Sequence, residues 1–277
     1  MPIMPKATQL KYTFKNDVLF KMLFVTHPDL LKRLIAVLLS ISLESIKDFR
    51  LVNTEMPPEE VGKKHCRLDI HMIVDNRKVN LEIQVEDEGN YPERVIFHSA
   101  RMYSSSLPSG GEYSTLPKTI VISILGFKQF SCAEVHSEFA LLEVNRHELL
   151  SDKISYHFFE LPKMPDVDSL DCNSEKDLWL ALFNARTEEE LEKLVFTGGE
   201  VMSQAVEAYR GVTATEEFRY LEILRERTRH DEAQAIGNAK RQGLEEGRAA
   251  ERGLWQSVVA DKDARIAELE ALLGTNA

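Results

Sequence analysis

The sequence predicts a mixed α/β domain with a helical C-terminal region. Three observations carry that prediction. The middle of the chain reads β-β-α-β: RLDIHMIVDNRKVNLEIQVE as two short apolar strands around a turn, PERVIFHSARMYSSSL as a helix, and KTIVISILGF as a strand dense in β-branched residues. Helical segments precede this unit. From Asn173 onward the texture is helical, with no further strand signal. That order puts a sheet in the middle with helices packed on it.

In FKNDVLFKMLF, Leu19, Phe20, Leu23 and Phe24 recur at helical spacing, and Asn16 is placed as N-cap. Pro28 opens a second helix, DLLKRLIAVLLS, apolar nearly all round. PPEEVGKK reads as loop. After the hairpin, EDEGNYP breaks the chain and Pro92 starts a helix to about Leu107. LPSGGEYSTLP is loop, and EFALLEV and ISYHFFEL read as two more strands. Helical segments follow near 174–184, 187–197, 199–209 and 214–231. Glycines 237, 243, 247 and 253 then predict a marginal helix or a mobile linker, because each costs a helix about 1 kcal/mol relative to alanine. In the last turns Trp255, Val258, Lys262, Ile266, Leu269 and Leu273 form an approximately 3–4 spaced stripe. It reads as a short coiled coil joining copies of the chain, or as a solvated tail helix. The expected division is a core over 1–170, a helical region over 171–232 and a glycine-punctuated tail over 233–277.

The chain has 277 residues, 43% of them hydrophobic, enough for a buried core. Cys66, Cys132 and Cys172 lie far apart, without a disulfide framework or zinc spacing. No signal-peptide or membrane-spanning run stands out, so the expected location is cytoplasmic. Net charge is −11, but residues 1–130 carry 17 Lys/Arg against 15 Asp/Glu. The acid is concentrated in the C-terminal half, which leaves room for a basic, nucleic-acid-facing surface in the N-terminal half.

Side chains alternate across a strand. Leu68, Ile70, Met72 and Val74 therefore share a face, as do Val79, Leu81, Ile83 and Val85. With Asn76-Arg77 as the turn, Leu68 pairs with Val85, Ile70 with Ile83, Met72 with Leu81 and Val74 with Val79. The other face then sets Arg67 opposite Glu86, Asp69 opposite Gln84, His71 opposite Glu82 and Ile73 opposite Asn80. Asp69 and Glu82 are diagonal neighbours, about 7–8 Å apart. Two carboxylates so placed suit Mg²⁺, which takes carboxylate oxygen together with water and phosphate. Any amphipathic hairpin also has a polar outer face, so a solvated surface is the competing reading. Asp is depleted inside strands, however, and Arg94, His98 and Arg101 share one face of the following helix. That stripe would contact a phosphate backbone, or simply neutralise Glu86, Asp87 and Glu88.

Asp69, the Glu82-Ile83-Gln84 triplet, YPERVIFHSARMYSSSL, KTIVISILGF and FKNDVLFKMLF together resemble the PD-(D/E)XK nuclease family transposases, also called Rpn or recombination-promoting nucleases. The likeness covers roughly residues 12–130, and the charged, glycine-punctuated tail matches in style. The resemblance implies a restriction-endonuclease-like core, a central mixed β-sheet flanked by helices. It also implies Mg²⁺-dependent hydrolysis of DNA phosphodiesters, with Mn²⁺ as a substitute ion. Asp69 and Glu82 take the metal-ligand positions. The superfamily's helical acid maps best onto Asp17, an acid that also suits its own helix N-terminus. Gln84 stands where the superfamily has lysine, so it can hydrogen-bond a water but brings no charge. His71 is an accessory candidate for orienting a water or ligand.

Two functions follow. One is a DNA endonuclease of recombination or mobile elements, with Asp69, Glu82 and Gln84 catalytic and Arg94 and Arg101 on phosphate. The other is a catalytically degenerate nuclease fold serving as an interaction or regulatory module. No Walker loop, GxGxxG or serine elbow is present to suggest other chemistry.

Overall fold

A six-stranded mixed sheet divides the protein into two layers. The computed structural model describes residues 8–52, 70–171 and 173–274, with side chains to residue 270. Arg67, Leu68, Asp69, the loop 57–64, Cys66 and Cys172 lie outside the described residues, and so does the Leu273 side chain. Cys132 is a free, exposed thiol.

Helix α1 (Asp17–Thr26) starts as expected: the Asn16 side chain accepts from the Leu19 amide at 2.9 Å. Helix α2 (Pro28–Leu38) has its proline in the first turn. It is amphipathic rather than apolar all round, burying Leu30, Leu31, Leu34, Ile35 and Leu38. Strand β1 (Phe49–Leu51) is the sheet edge, followed by β2 (Ile70–Val74), β3 (Arg77–Gln84), α3 (Tyr91–Ser104) and β4 (Thr119–Leu125). Strands β5 (His136–Leu142) and β6 (Leu149–Glu160) complete the order β1-β2-β3-β4-β6-β5. The β3–β4 and β4–β6 pairs are parallel and the others antiparallel. A parallel β3–β4 pair needs a crossover, and α3 supplies it. All seven residues of β4 are buried, the consequence of cover on both faces.

The hairpin register differs from the expected one. Ile70 pairs with Leu81, His71 with Asn80, Met72 with Val79, Ile73 with Lys78 and Val74 with Arg77. The turn is Asp75-Asn76, with φ of 47° and 63°. A two-residue turn of this kind needs positive φ at both central residues, which Asp and Asn tolerate far better than Arg. Asp75 gains further support by accepting the Lys47 and Asp48 amides. The shift is two residues, so parity survives and the apolar faces still coincide. What changes is the partner: His71 faces Asn80, not Glu82.

Helices α4 (Glu175–Asn184) and α5 (Glu188–Ala214) join α1 and α2 on one face of the sheet. Phe14, Phe20, Phe24, Trp179 and Phe183 form the centre of that layer, all at most 1% exposed. Each such ring contributes about 1.5–3 kcal/mol by burial. The predicted break between two helices appears inside α5 as Gly199, whose φ of 58° is non-helical. Helix α6 (Glu216–Gly274) runs unbroken through glycines 237, 243, 247 and 253, so of the two expectations for this stretch it is the helix and not the mobile linker that the structure has. Glycine lowers helix propensity without forbidding helical φ, and the intervening Ala, Gln, Glu, Lys and Arg are strong helix formers. From Arg241 to Glu270 every residue of α6 is exposed.

Candidate active site

The described polar face of the hairpin is partly covered: Asn80 and Glu82 are buried, His71 and Lys78 half-buried. Helix α3 packs Tyr91 and Val95 on Val121, Leu125 and Phe158 of β4 and β6, sets Ser99 2.8 Å from the Tyr156 hydroxyl, and meets the hairpin through Tyr91. Glu82 is thereby held at 6% exposure near the C-terminal end of β3. The Tyr91 hydroxyl donates a short hydrogen bond to Glu82 Oε1. Ser123, its register partner on β4, lies 3.5 Å from the same oxygen. Burial and the adjacent carboxylate raise the Tyr91 hydroxyl well above its ordinary pKa, so it stays a donor. Glu82 Oε2 accepts no hydrogen bond among the described residues.

Gln84 is held at both ends. Its Nε2 donates to the Glu86 carbonyl at 2.9 Å, and its Oε1 accepts from Arg94 Nη2 at 2.7 Å. The other Arg94 Nη donates to Glu88 at 2.9 Å, and the guanidinium lies 4.7 Å from the Tyr91 ring centroid. The Arg94 side chain is 11% exposed. Neutralising the acidic run, the competing reading of the Arg/His stripe, is thus realised for Arg94 through Glu88.

His98 and Arg101 are exposed. With His71, Lys78, Asn80 and Glu82 they line a cleft of about 610 Å³ between α3 and the hairpin. Burial, then the charges of Lys21, His98 and Lys78, lowers the His71 pKa, so this imidazole is neutral near pH 7. Asp17 stands apart from this cleft's lining. Its carboxylate forms an ion pair with Arg225 of α6. Arg225 also reaches Glu222 at 3.2 Å, and Glu222 accepts from Asn16 at 2.8 Å. One turn further along α6, Arg229 lies 3.5 Å from Glu86.

The structure therefore brings Glu82, Gln84 and Arg94 into one network and places His71 and Arg101 on one cleft. It engages Asp17 with α6, while Asp69 lies outside the described residues. Among the described residues no cluster of three or more His, Cys, Asp or Glu could hold a metal. Glu82 itself fits a hard cation: it is a buried carboxylate with one oxygen tied down by hydroxyls and the other without a donor among the described residues.

The sequence reading missed Tyr91, Ser123 and Lys21. Tyr91, Val95 and Ser99 fall at i, i+4 and i+8, a stripe that starting the helix at Pro92 hides. Lys21 is 3% exposed on α1, a burial unusual for an ammonium and invisible in an apolar helix pattern.

A family profile for the PD-(D/E)XK nuclease family transposase matches residues 14–239. The chain belongs to this family. The match takes in the whole network around Glu82 and the root of α6 as far as residue 239. No curated protein and no solved structure matches the chain. The mixed sheet with flanking helices fits the restriction-endonuclease-like core of PD-(D/E)XK nucleases. Among the described residues no helix is long and apolar enough to cross a membrane.

Proposed function

We propose that this PD-(D/E)XK nuclease family transposase is a divalent-metal-dependent DNA endonuclease acting in recombination or on mobile elements. The observation that carries the reading is Glu82: a nearly buried carboxylate oriented by Tyr91, beside the fixed Gln84 amide, on a cleft with a basic rim. Glu82 and Asp69 would hold Mg²⁺ or Mn²⁺. The ion would supply charge stabilisation and lower the pKa of a water. Gln84 orients that water through its amide N–H. Arg101 and Lys78 give the cleft the charge to receive a phosphate backbone. His71, neutral, lines the same cleft. Copies of the chain would associate through the exposed stripe on α6.

The test is supercoiled-plasmid nicking with Mg²⁺ and with Mn²⁺, comparing wild type with Asp69→Ala and Glu82→Ala. Wild type should nick and both variants should not. A wild type that cuts no better than either variant refutes the reading. One observation favours a regulatory reading in addition: Arg225 and Arg229 of α6 neutralise Asp17 and Glu86. If α6 restrains the core, Arg225→Ala should raise the nicking rate, and a lowered or unchanged rate removes that idea.

A further inference from the structure

We propose that Arg94 supplies the positive charge that Gln84 lacks, acting through the Gln84 amide as a positioning residue and not as a phosphate clamp. The inference rests on the nuclease reading above and assigns Arg94 a different role within it.

The hydrogen-bond chemistry decides the orientation of Gln84. A glutamine amide can turn over, exchanging its oxygen and nitrogen. A guanidinium has only donors, so the amide must turn its oxygen to Arg94 Nη2, at 2.7 Å. The NH₂ end then meets the Glu86 carbonyl, which only accepts, at 2.9 Å. One N–H of the amide is left without a partner among the described residues. Arg94 therefore ensures that this position offers a donor, as a lysine would. Its charge also polarises the amide, which strengthens the remaining N–H as a donor.

The surroundings of Arg94 argue against a direct phosphate contact. Both Nη atoms are in use, on Gln84 and on Glu88. The guanidinium lies over the Tyr91 ring, and that ring's hydroxyl orients Glu82. A phosphate would meet the repulsion of Glu88, an anion already at 2.9 Å. Arg94 thus ties Gln84 to the Tyr91–Glu82 pair, the two halves of the candidate site.

The experiment is a double-mutant cycle on the full chain: Arg94→Ala, Gln84→Ala and both together, in single-turnover cleavage of plasmid DNA. Each single variant should lower the maximal rate about 10- to 100-fold, as for other groups that orient a ligand of the reaction. The DNA concentration for half-maximal rate should not move. The double variant should be no slower than Gln84→Ala alone. Multiplying losses, or a raised DNA requirement with a salt slope shallower by about one, would mark a phosphate contact and overturn the proposal. Arg94→Lys keeps a charge and one donor for Gln84 and should recover part of the rate lost in Arg94→Ala. No recovery also overturns it. If wild type fails to cleave with either metal, the nuclease reading itself falls. If wild type cleaves and the losses multiply, only the assignment of Arg94 falls.

Discussion

Replacing Tyr91 by Phe removes one oxygen atom and separates two roles of the residue. The ring stays, with its edge-to-face contacts to Phe127 at 5.9 Å and Phe158 at 6.3 Å and its place beneath Arg94. Only the hydrogen bond to Glu82 Oε1 goes. That oxygen keeps Ser123 alone, at 3.5 Å, the outer limit of a hydrogen bond. Tyr91 is 1% exposed and Glu82 6%, so water does not readily replace the lost donor. A hydrogen bond to a charged group contributes about 1.5–3 kcal/mol. In a chain of this size each kcal/mol moves the melting temperature about 2–4 °C, so Tyr91→Phe should melt roughly 3–12 °C lower. If Glu82 binds a divalent ion, freeing its carboxylate should also weaken Mn²⁺ binding about 10- to 100-fold. Thermal melts and Mn²⁺ titration calorimetry read the two effects separately. A variant that melts with wild type and binds Mn²⁺ equally well refutes the claim that this hydroxyl holds Glu82.

Three further outcomes can be checked. A Cβ at Gly126 would sit 2.8 Å from the Val85 carbonyl oxygen and 3.1 Å from its Cα, so Gly126→Ala should cost about 1–3 kcal/mol in urea unfolding. An unchanged urea midpoint would show that the chain at Val85, just after β3, can retreat. Burial holds the His157 pKa near 4 in the fold, against 6.5 when free, despite Glu138 at 3.8 Å. Between those values the unfolded chain binds the extra proton, so this contribution is complete above pH 6.5 and is lost as pH falls toward 4. Urea midpoints from pH 7 to 4.5 should fall more steeply for wild type than for His157→Gln, and parallel curves would contradict the assignment. Sedimentation should show a concentration-dependent dimer that Ile266→Asp and Leu269→Asp abolish. A wild type that stays monomeric ends the coiled-coil reading of α6.

Parity was the part of the site that the sequence made legible. Asn80, Glu82 and Gln84 share a face whatever even-numbered slip the hairpin takes, and the apolar residues fall together on the other. The slip itself depended on which residues accept positive φ, and Asp75-Asn76 meet that need where Asn76-Arg77 does not. Burial of Glu82 was not legible, because the helical stripe that begins with its partner Tyr91 includes a serine and so lacks an apolar signature. Nor was the engagement of Asp17. Its partner Arg225 lies more than 200 residues away, and nothing local to α1 announces it. The choice between helix and linker for α6 was not legible from its glycines, because their neighbours carry the helix.

The length of α6 has a mechanical consequence. From Arg229 to Gly274 the helix extends about 68 Å at ~1.5 Å per residue. Such a rod works as a lever whose fulcrum is the Arg225 and Arg229 contacts at its root. A tilt of only about 5° at the root carries the tip about 6 Å over that length. An exchange of partners at Asp17 that tilted the root would therefore be amplified into a change of reach at the distal stripe. A pair of distance probes, one on the core and one near Leu269, would register the state of the root without touching it.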